Sequence, residues 1–351
     1  MARAKTYAVI AGITVAALAI TVIAFTTSAN LQRNPAEPKS TLRVAVVTDA
    51  LFSDKGWGES SLNAAKFIES KYGLEVATED NISIANIEST LKKYAKEGYD
   101  LIIAHGFQWG DPALRVGKQY PGAKIVVFTG LVESENVASI FPQQQQGSFL
   151  LGAIAGMMTQ TNVIGYVGGE EYPNVVNIFE GYKQGAKAVN PNVKIIGTYL
   201  NDWDNPAKGK EAATSIIRQG VDVIFHVADS SGQGVIKSAR ENGVYALGAV
   251  QDQNSQAPDT VLTSFVLDVD KAYSQAVNST LKESFRGEIR KPGIEAEKGA
   301  AGDGIVYLSS FHELDSQVPT SVKSKLQELK NDLLEGRIVV PEKFEETSLP
   351  A

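Results

Sequence analysis

The sequence predicts an α/β protein built as two parallel-sheet lobes with a hinged cleft between them, and three observations carry that prediction. From Leu42 onward, short β-branched runs alternate with amphipathic stretches, the rhythm of βαβ units. The rhythm pauses after "KIVVFTG", passes through an apolar helical stretch and restarts, which separates two halves at about residues 42–145 and 160–255. All three tryptophans, Trp57, Trp109 and Trp203, fall in loops that follow strands, and none lies in a strand.

The chain opens with "MARAKTYAVIAGITVAALAITVIAFTTSA", in which Arg3 and Lys5 are followed by no charge until Arg33. This uncharged stretch exceeds the ~20 residues that span a bilayer. The basic residues before it predict that everything after it lies outside the cytoplasm. Residues 1–30 read either as a signal peptide cut near "TTSA" or as an uncleaved membrane anchor. The polar, proline-containing segment 31–41 then reads as a linker.

"LRVAVVTDA" reads as the first strand, and "SSLNAAKFIESKYG" as a helix stopped by Gly73. "LEVATED" is a strand, "NIESTLKKYAKEGY" a helix, and "DLIIAHG" and "KIVVFTG" are buried-type strands on either side of "PALRVGKQYPG". The helix "QQQQGSFLLGAIAGMMTQ" leads into the second half, with strands "VIGYVGG", "KIIGTYL", "DVIFHVAD" and "YALGAV". Helices are expected at "NVVNIFEGYKQGAKAVNP", "NPAKGKEAATSIIRQG" and "SGQGVIKSARENG". The remainder is too short for a third domain and supplies crossing strands and covering helices. Lobe 1 is therefore placed at 42–145 with a return segment at about 258–290, and lobe 2 at 146–257 with part of 291–351.

In open parallel sheets, ligands bind outside the carboxyl ends of the strands. The loops at those ends are "TDALFSDKGWGES", "HGFQWGDP", "FTGLVE", "GGEEYPN", "LNDWDNP", "ADSSGQG" and "VQDQNSQ". Trp57 stands between two glycines, which gives that loop no packing reason to carry its largest side chain. A flat surface offered to a flat ligand is one reading of it, and a loop aromatic folded onto the core is the other. In "DSSGQG", Asp229 or Ser230 is placed to cap the next helix and leave backbone N–H groups facing the cleft. In "DWDNP", Asp204 or Asn205 is placed at a helix start with Pro206 at the first helical position.

Composition excludes several functions. A formal net charge of -7 with no basic stripe argues against nucleic acid as a partner. With no cysteine the chain has no disulfide and no thiolate metal site, and its histidines, His105, His226 and His312, are not at ligand spacing. His105 and His226 close or interrupt apolar strands and read as core or cleft-lip histidines. "GEEYPN" pairs Glu170 with Glu171, but adjacent carboxylates point apart and form no acid/base pair. Neither "GYVGGEEY" nor "DSSGQGV" matches a phosphate-binding glycine loop. The chain reads as no enzyme, without catalytic residues, metal or cofactor.

Taken together, these loops and strands resemble the basic membrane protein (Bmp, or PnrA-like) family of ABC-transporter solute-binding proteins. The resemblance runs from about Leu42 to Pro341. It rests on "DKGWGES", "GSFLLGAIAGMMTQTNVIGYVGG", "FEGYKQGAKAVNP", "NDWDNPAKGKEAA", "GVDVIFHVADSSGQGVIKSARENGVYALGAVQDQ", "VLTSFVLDVDKA" and "LLEGRIVVP", in that order. It implies a type I periplasmic-binding-protein fold with two Rossmann-like lobes, and a purine nucleoside class of ligand. It also implies a base held between two aromatics, here Trp57 and Trp203. At other positions the chain departs from the family pattern. Thr129 stands where a base-reading aspartate is expected, Gly58 where an asparagine follows the loop aromatic, and Val250 at a sugar-contacting aspartate, while Asp252 is kept. Leu267 replaces a lysine. Val250 and Leu267 together suggest a pocket for a less hydroxylated ligand, since replacing both members of a charged pair can be nearly neutral.

The resulting expectation is an extracytoplasmic solute receptor that closes on a nucleoside or nucleobase-like heterocycle and delivers it to ABC permease and ATPase subunits. Its ligand-binding residues are expected to be Trp57, Trp203, Asp49, Gly58, Phe107, Thr129, Asp229 and Asp252. A membrane-tethered sensing receptor without a transport role is the alternative, and a nucleoside-processing enzyme a more distant one.

Overall fold

Five consecutive residues of strand β1 (Arg43–Thr48) are buried. Such a strand cannot be the half-solvated strand of an antiparallel sheet and must be covered on both faces. The protein, seen in a computed structural model that describes residues 42–345, meets that requirement twice. The N-terminal apolar segment and the linker, 1–41, lie outside the described residues.

In the first lobe β1 pairs in parallel with β2 (Glu75–Glu79) on one side and β3 (Leu101–His105) on the other, followed by β4 (Lys124–Phe128) and β5 (Val137–Ile140). Helices α1 (Trp57–Tyr72), α2 (Ile87–Lys96) and α3 (Gly110–Gln119) connect these strands. After α4 (Gln144–Met158) the second lobe repeats the pattern. Its strands are β6 (Val163–Gly168), β7 (Lys194–Tyr199), β8 (Val223–Val227), β9 (Tyr245–Val250) and β10 (Val261–Leu267), and its helices α5 (Pro173–Val189), α6 (Pro206–Ile217) and α7 (Asp229–Glu241). The spatial orders, β2-β1-β3-β4-β5 and β7-β6-β8-β9-β10, are the same doubly wound arrangement.

Helices α4 and α5 meet backbone to backbone, which explains the glycines in two predicted helices. A Cβ on Gly152 would stand 2.0 Å from the Tyr182 carbonyl oxygen, and one on Gly185 would stand 1.8 Å from that of Phe149. No other residue permits that crossing.

The chain then returns to the first lobe. Helix α8 (Val269–Leu281) packs on α1, and β11 (Ile289–Arg290) extends the first sheet beyond β5. It crosses once more to β12 (Val306–Leu308), antiparallel to β10, and α9 (Thr320–Leu334) packs on α4. Strand β10 thus belongs to the second sheet, although the sequence reading put the return segment, from about 258, in the first lobe. Its all-buried run pairs with β9, and the crossing comes later, at Asp268. Lobe to lobe, the chain passes before α4, after β10 and between β11 and β12.

Candidate functional site

Each sheet reverses its winding direction between two neighbouring strands, β1 and β3 in one and β6 and β8 in the other, and loops leaving those strands must diverge there. A cavity of about 680 Å³, counting its solvent-filled mouth, opens at these ends and is lined from both lobes.

The first lobe supplies Asp49, just past β1. Its carboxylate accepts the Trp109 indole N–H at 3.2 Å and a hydrogen bond from the Gln108 side-chain amide. Burial pushes the Asp49 carboxyl up, and these bonds pull it partly back. Further along the same loop, the buried Asp54 carboxylate accepts the backbone N–H groups of Gly56, Gly58 and Glu59 at 2.8, 2.6 and 3.1 Å. Those bonds satisfy the start of α1 and set Trp57 as its first residue. The indole of Trp57 lines the cavity and also leans on the core, its centroid 3.8 Å from the His105 ring and 5.6 Å from Phe128. One part of its surface thus packs on the core and another part faces the cavity. Phe107 and Thr129 line the same wall.

The second lobe supplies Trp203. Its ring lies over Gly169, where a Cβ would come within 2.2 Å of Cε3, and 6.1 Å from the Tyr172 ring. Ser231 holds this loop in place, its N–H donating to the Trp203 carbonyl at 2.8 Å and its hydroxyl to that of Asp202 at 3.1 Å. Asn205, with Pro206 after it, caps α6 by accepting the Lys208 N–H at 3.1 Å. Asp229 does not cap α7, which starts from Ala228 with no side-chain cap; it lines the cavity instead. Two hydrogen bonds cross the cleft, from the Gln233 and Gln251 side chains to the carbonyls of Asp54 and Gly56, at 3.1 and 2.6 Å.

Three non-glycine residues on the cavity wall, Thr129, Asp229 and Val250, hold φ of 66°, 44° and 69°. For β-branched Thr129 and Val250 this is an outlying conformation, and such strain costs about 1–3 kcal/mol per residue. Strain of this kind persists where surrounding structure enforces it, and it gathers at ligand sites.

The electrostatics are one-sided. Burial pushes Asp229 well above the usual carboxylate range, and Asp54, Asp49 and Asp204 push it further. The residue is half-buried as a whole, because the part of it that meets solvent is cavity wall. Asp204 is raised by burial and by Asp202, with a hydrogen bond from Ser230 opposing. Among the described residues, no lysine or arginine lines the cavity.

Several expected positions lie elsewhere. Gly58 is buried at the start of α1, where a Cβ would stand 2.2 Å from the Leu51 carbonyl oxygen, so packing demands glycine and the residue does not line the cavity. Asp252 turns away and pairs with His312 at 2.6 Å. Trp109 is fully buried in the first-lobe core and reaches the cavity only through its bond to Asp49. His105 and His226 are core residues; burial lowers them to about 3 and about 4. Sequence reasoning missed Gln108, Gln144, Tyr172, Asn174 and Asp204 as wall residues, although most lay within the loops already marked as facing the cleft.

Residues 41–343 match the family model of the PnrA-like (Bmp) ABC transporter substrate-binding proteins. The chain belongs to this family. Basic membrane protein A of Borreliella afzelii is 29% identical over 308 residues, 85% of this chain and 91% of that protein. A purine-binding protein of Brucella abortus is 27% identical over 306 residues, covering 86% and 84%. The crystal structure of an ABC transporter solute-binding protein from Aeropyrum pernix superposes with a TM-score of 0.77 at 24% identity, covering 86% of this chain and 94% of that one. That likeness establishes the type I periplasmic-binding fold. As a Bmp family member the chain is a substrate-binding protein of an ABC transporter, with a small-molecule ligand and transporter components as partners, in an extracytoplasmic setting. Among the described residues, no helix is long and apolar enough to cross a membrane.

Proposed function

We propose that this protein captures a flat heterocyclic solute, nucleoside or nucleobase-like, between the indoles of Trp57 and Trp203 and presents it to an ABC permease. The observation that carries this reading is that tryptophans from opposite lobes line one cavity at the strand ends. Base–aromatic stacking contributes roughly 1–3 kcal/mol per face, whereas micromolar binding needs about 8 kcal/mol. The polar wall of Asp49, Thr129 and Asp229 supplies the remainder and the selectivity. The purine-binding relative is consistent with a planar, nitrogen-rich ligand. Closure follows from differential contact, because each indole meets the solute fully only when the lobes are together. The N-terminal apolar segment would keep the receptor at the membrane, close to its permease.

Native mass spectrometry of the purified full-length chain, with thermal-shift screening of purines, pyrimidines and nucleosides, tests the reading. A retained planar heterocycle, or stabilisation by one, is the expected result. A preference for non-aromatic sugars would refute it.

A further inference from the structure

Resting on the receptor reading above, we infer that the solute carries a positive charge, held by Asp49, Asp204 and Asp229 inside the aromatic wall of Trp57, Trp203 and Tyr172. The argument starts from closure. Asp49 and Asp54 come from the first lobe, and Asp204 and Asp229 from the second. In the structure Gln233 and Gln251 bridge the lobes, and Asp49, Asp204 and Asp229 line the one cavity between them, close enough to act on one another. Bringing together like charges from two halves of a hinged protein opposes closing unless positive charge enters between them.

The chain supplies none. No lysine or arginine lines the cavity among the described residues, and two lysines next to its loops in the chain are paired with carboxylates, Lys55 with Glu59 at 3.4 Å and Lys208 with Asp202 at 3.9 Å. An anionic solute such as a nucleotide is excluded by the same charges. A neutral solute adds nothing against the repulsion, which is then relieved only by a proton kept on Asp229, whose carboxyl burial and its neighbours already push up.

Two independent features show that the cavity is built for a ligand. Gln144 is 3% exposed and lines the cavity, yet its side-chain amide has no hydrogen-bond partner among the described residues. The buried Oδ1 of Asn174, on the same wall, is likewise without one. Polar groups so placed await a partner. The aromatic walls add specificity, since indole and phenol faces attract cations and also stack on planar rings. Aspartates together with tryptophans thus select a flat cation over its neutral isostere.

Isothermal titration of the full-length protein with matched pairs tests this: 1-methyladenosine against adenosine, and the pyridinium cation 1-methylnicotinamide against nicotinamide. The cation of at least one pair should bind about tenfold or more tightly than its neutral partner. In Asp229→Asn, whose amide tolerates the same left-handed backbone, that ratio should fall. Neutral members binding as well as the cations in both pairs, or a ratio unchanged in Asp229→Asn, overturns the inference and leaves the receptor reading standing. If none of the four binds, the solute that co-purifies decides: a cation upholds the inference and a neutral or anionic solute overturns it. The absence of any planar solute overturns the receptor reading as well.

Discussion

Replacing His226 with glutamine should remove part of the protein's sensitivity to acid. His226 is 1% exposed within β8, beside the Gln253 side chain, and burial lowers it from 6.5 to about 4. The folded protein therefore holds it neutral at pH values where the unfolded chain already binds a proton. Stability is then intact above about pH 6.5, falls as the pH drops below that value, and stops falling near the folded-state value. At roughly pH 5 the unfolded imidazole is almost fully protonated and the folded one hardly at all, which gives a loss of about 2 kcal/mol. His105, fully buried and lowered to about 3, contributes a similar loss. The raised carboxyls of Asp49, Asp54 and Asp229 act in the opposite direction, because their folded forms bind protons more readily than their unfolded ones. Wild type and variant share those carboxyls, so they cancel in the difference. Urea unfolding of both proteins at about pH 8 and about pH 5 should give stability differences that change by about 2 kcal/mol, the wild type losing more. Parallel stability curves would refute the argument that His226 is neutral in the folded state.

Trp203→Ala should weaken the best ligand by about tenfold, the ~1.4 kcal/mol of one stacking face, with little change in the ligand-free melting temperature. Trp57→Ala should lose similar affinity and also melt earlier, because its ring rests on His105 and Phe128; titration calorimetry and thermal denaturation separate the two effects. Gly169→Ala would place a methyl 2.2 Å from the Trp203 ring and so displace the indole. Unchanged affinity in that variant would show that the indole position does not matter. Lys271 bonds Glu295 at 2.8 Å and the carbonyls of Ala300 and Gly304, binding α8 to the last lobe crossing. Lys271→Met should cost about 3 kcal/mol and expose residues 296–304 to limited proteolysis.

Much of the fold was legible because strand and helix signals are local. The largely apolar runs at 101–105 and 223–227, each with a single histidine, read as buried parallel strands, and the glycines of α4 and α5 are intelligible once two helices must touch. Strand β10 was harder to place. Its composition suits either sheet, and only its pairing with β9 settles the choice. Within the site, the loops carrying Trp57 and Trp203 could be singled out because strand ends in parallel sheets are where loops gather. Side-chain directions inside those loops could not. Trp109 comes from the same kind of loop as Trp57, yet it is buried, its indole N–H directed at Asp49. Asp252 was drawn off by His312, sixty positions away in the chain.

By itself, then, the order of residues determined the fold class, the two-lobed repetition and the loops that border the cleft, since these follow from periodicity and from which residues start and stop elements. The tertiary structure alone decided which carboxylates share the cavity and which aromatics face it. Asp49 and Asp229 are 180 residues apart, and no local pattern records that closing two lobes sets their charges side by side. Electrostatic energy depends on distance in space, and in this protein distance in space is set by where the sheets turn their carboxyl ends.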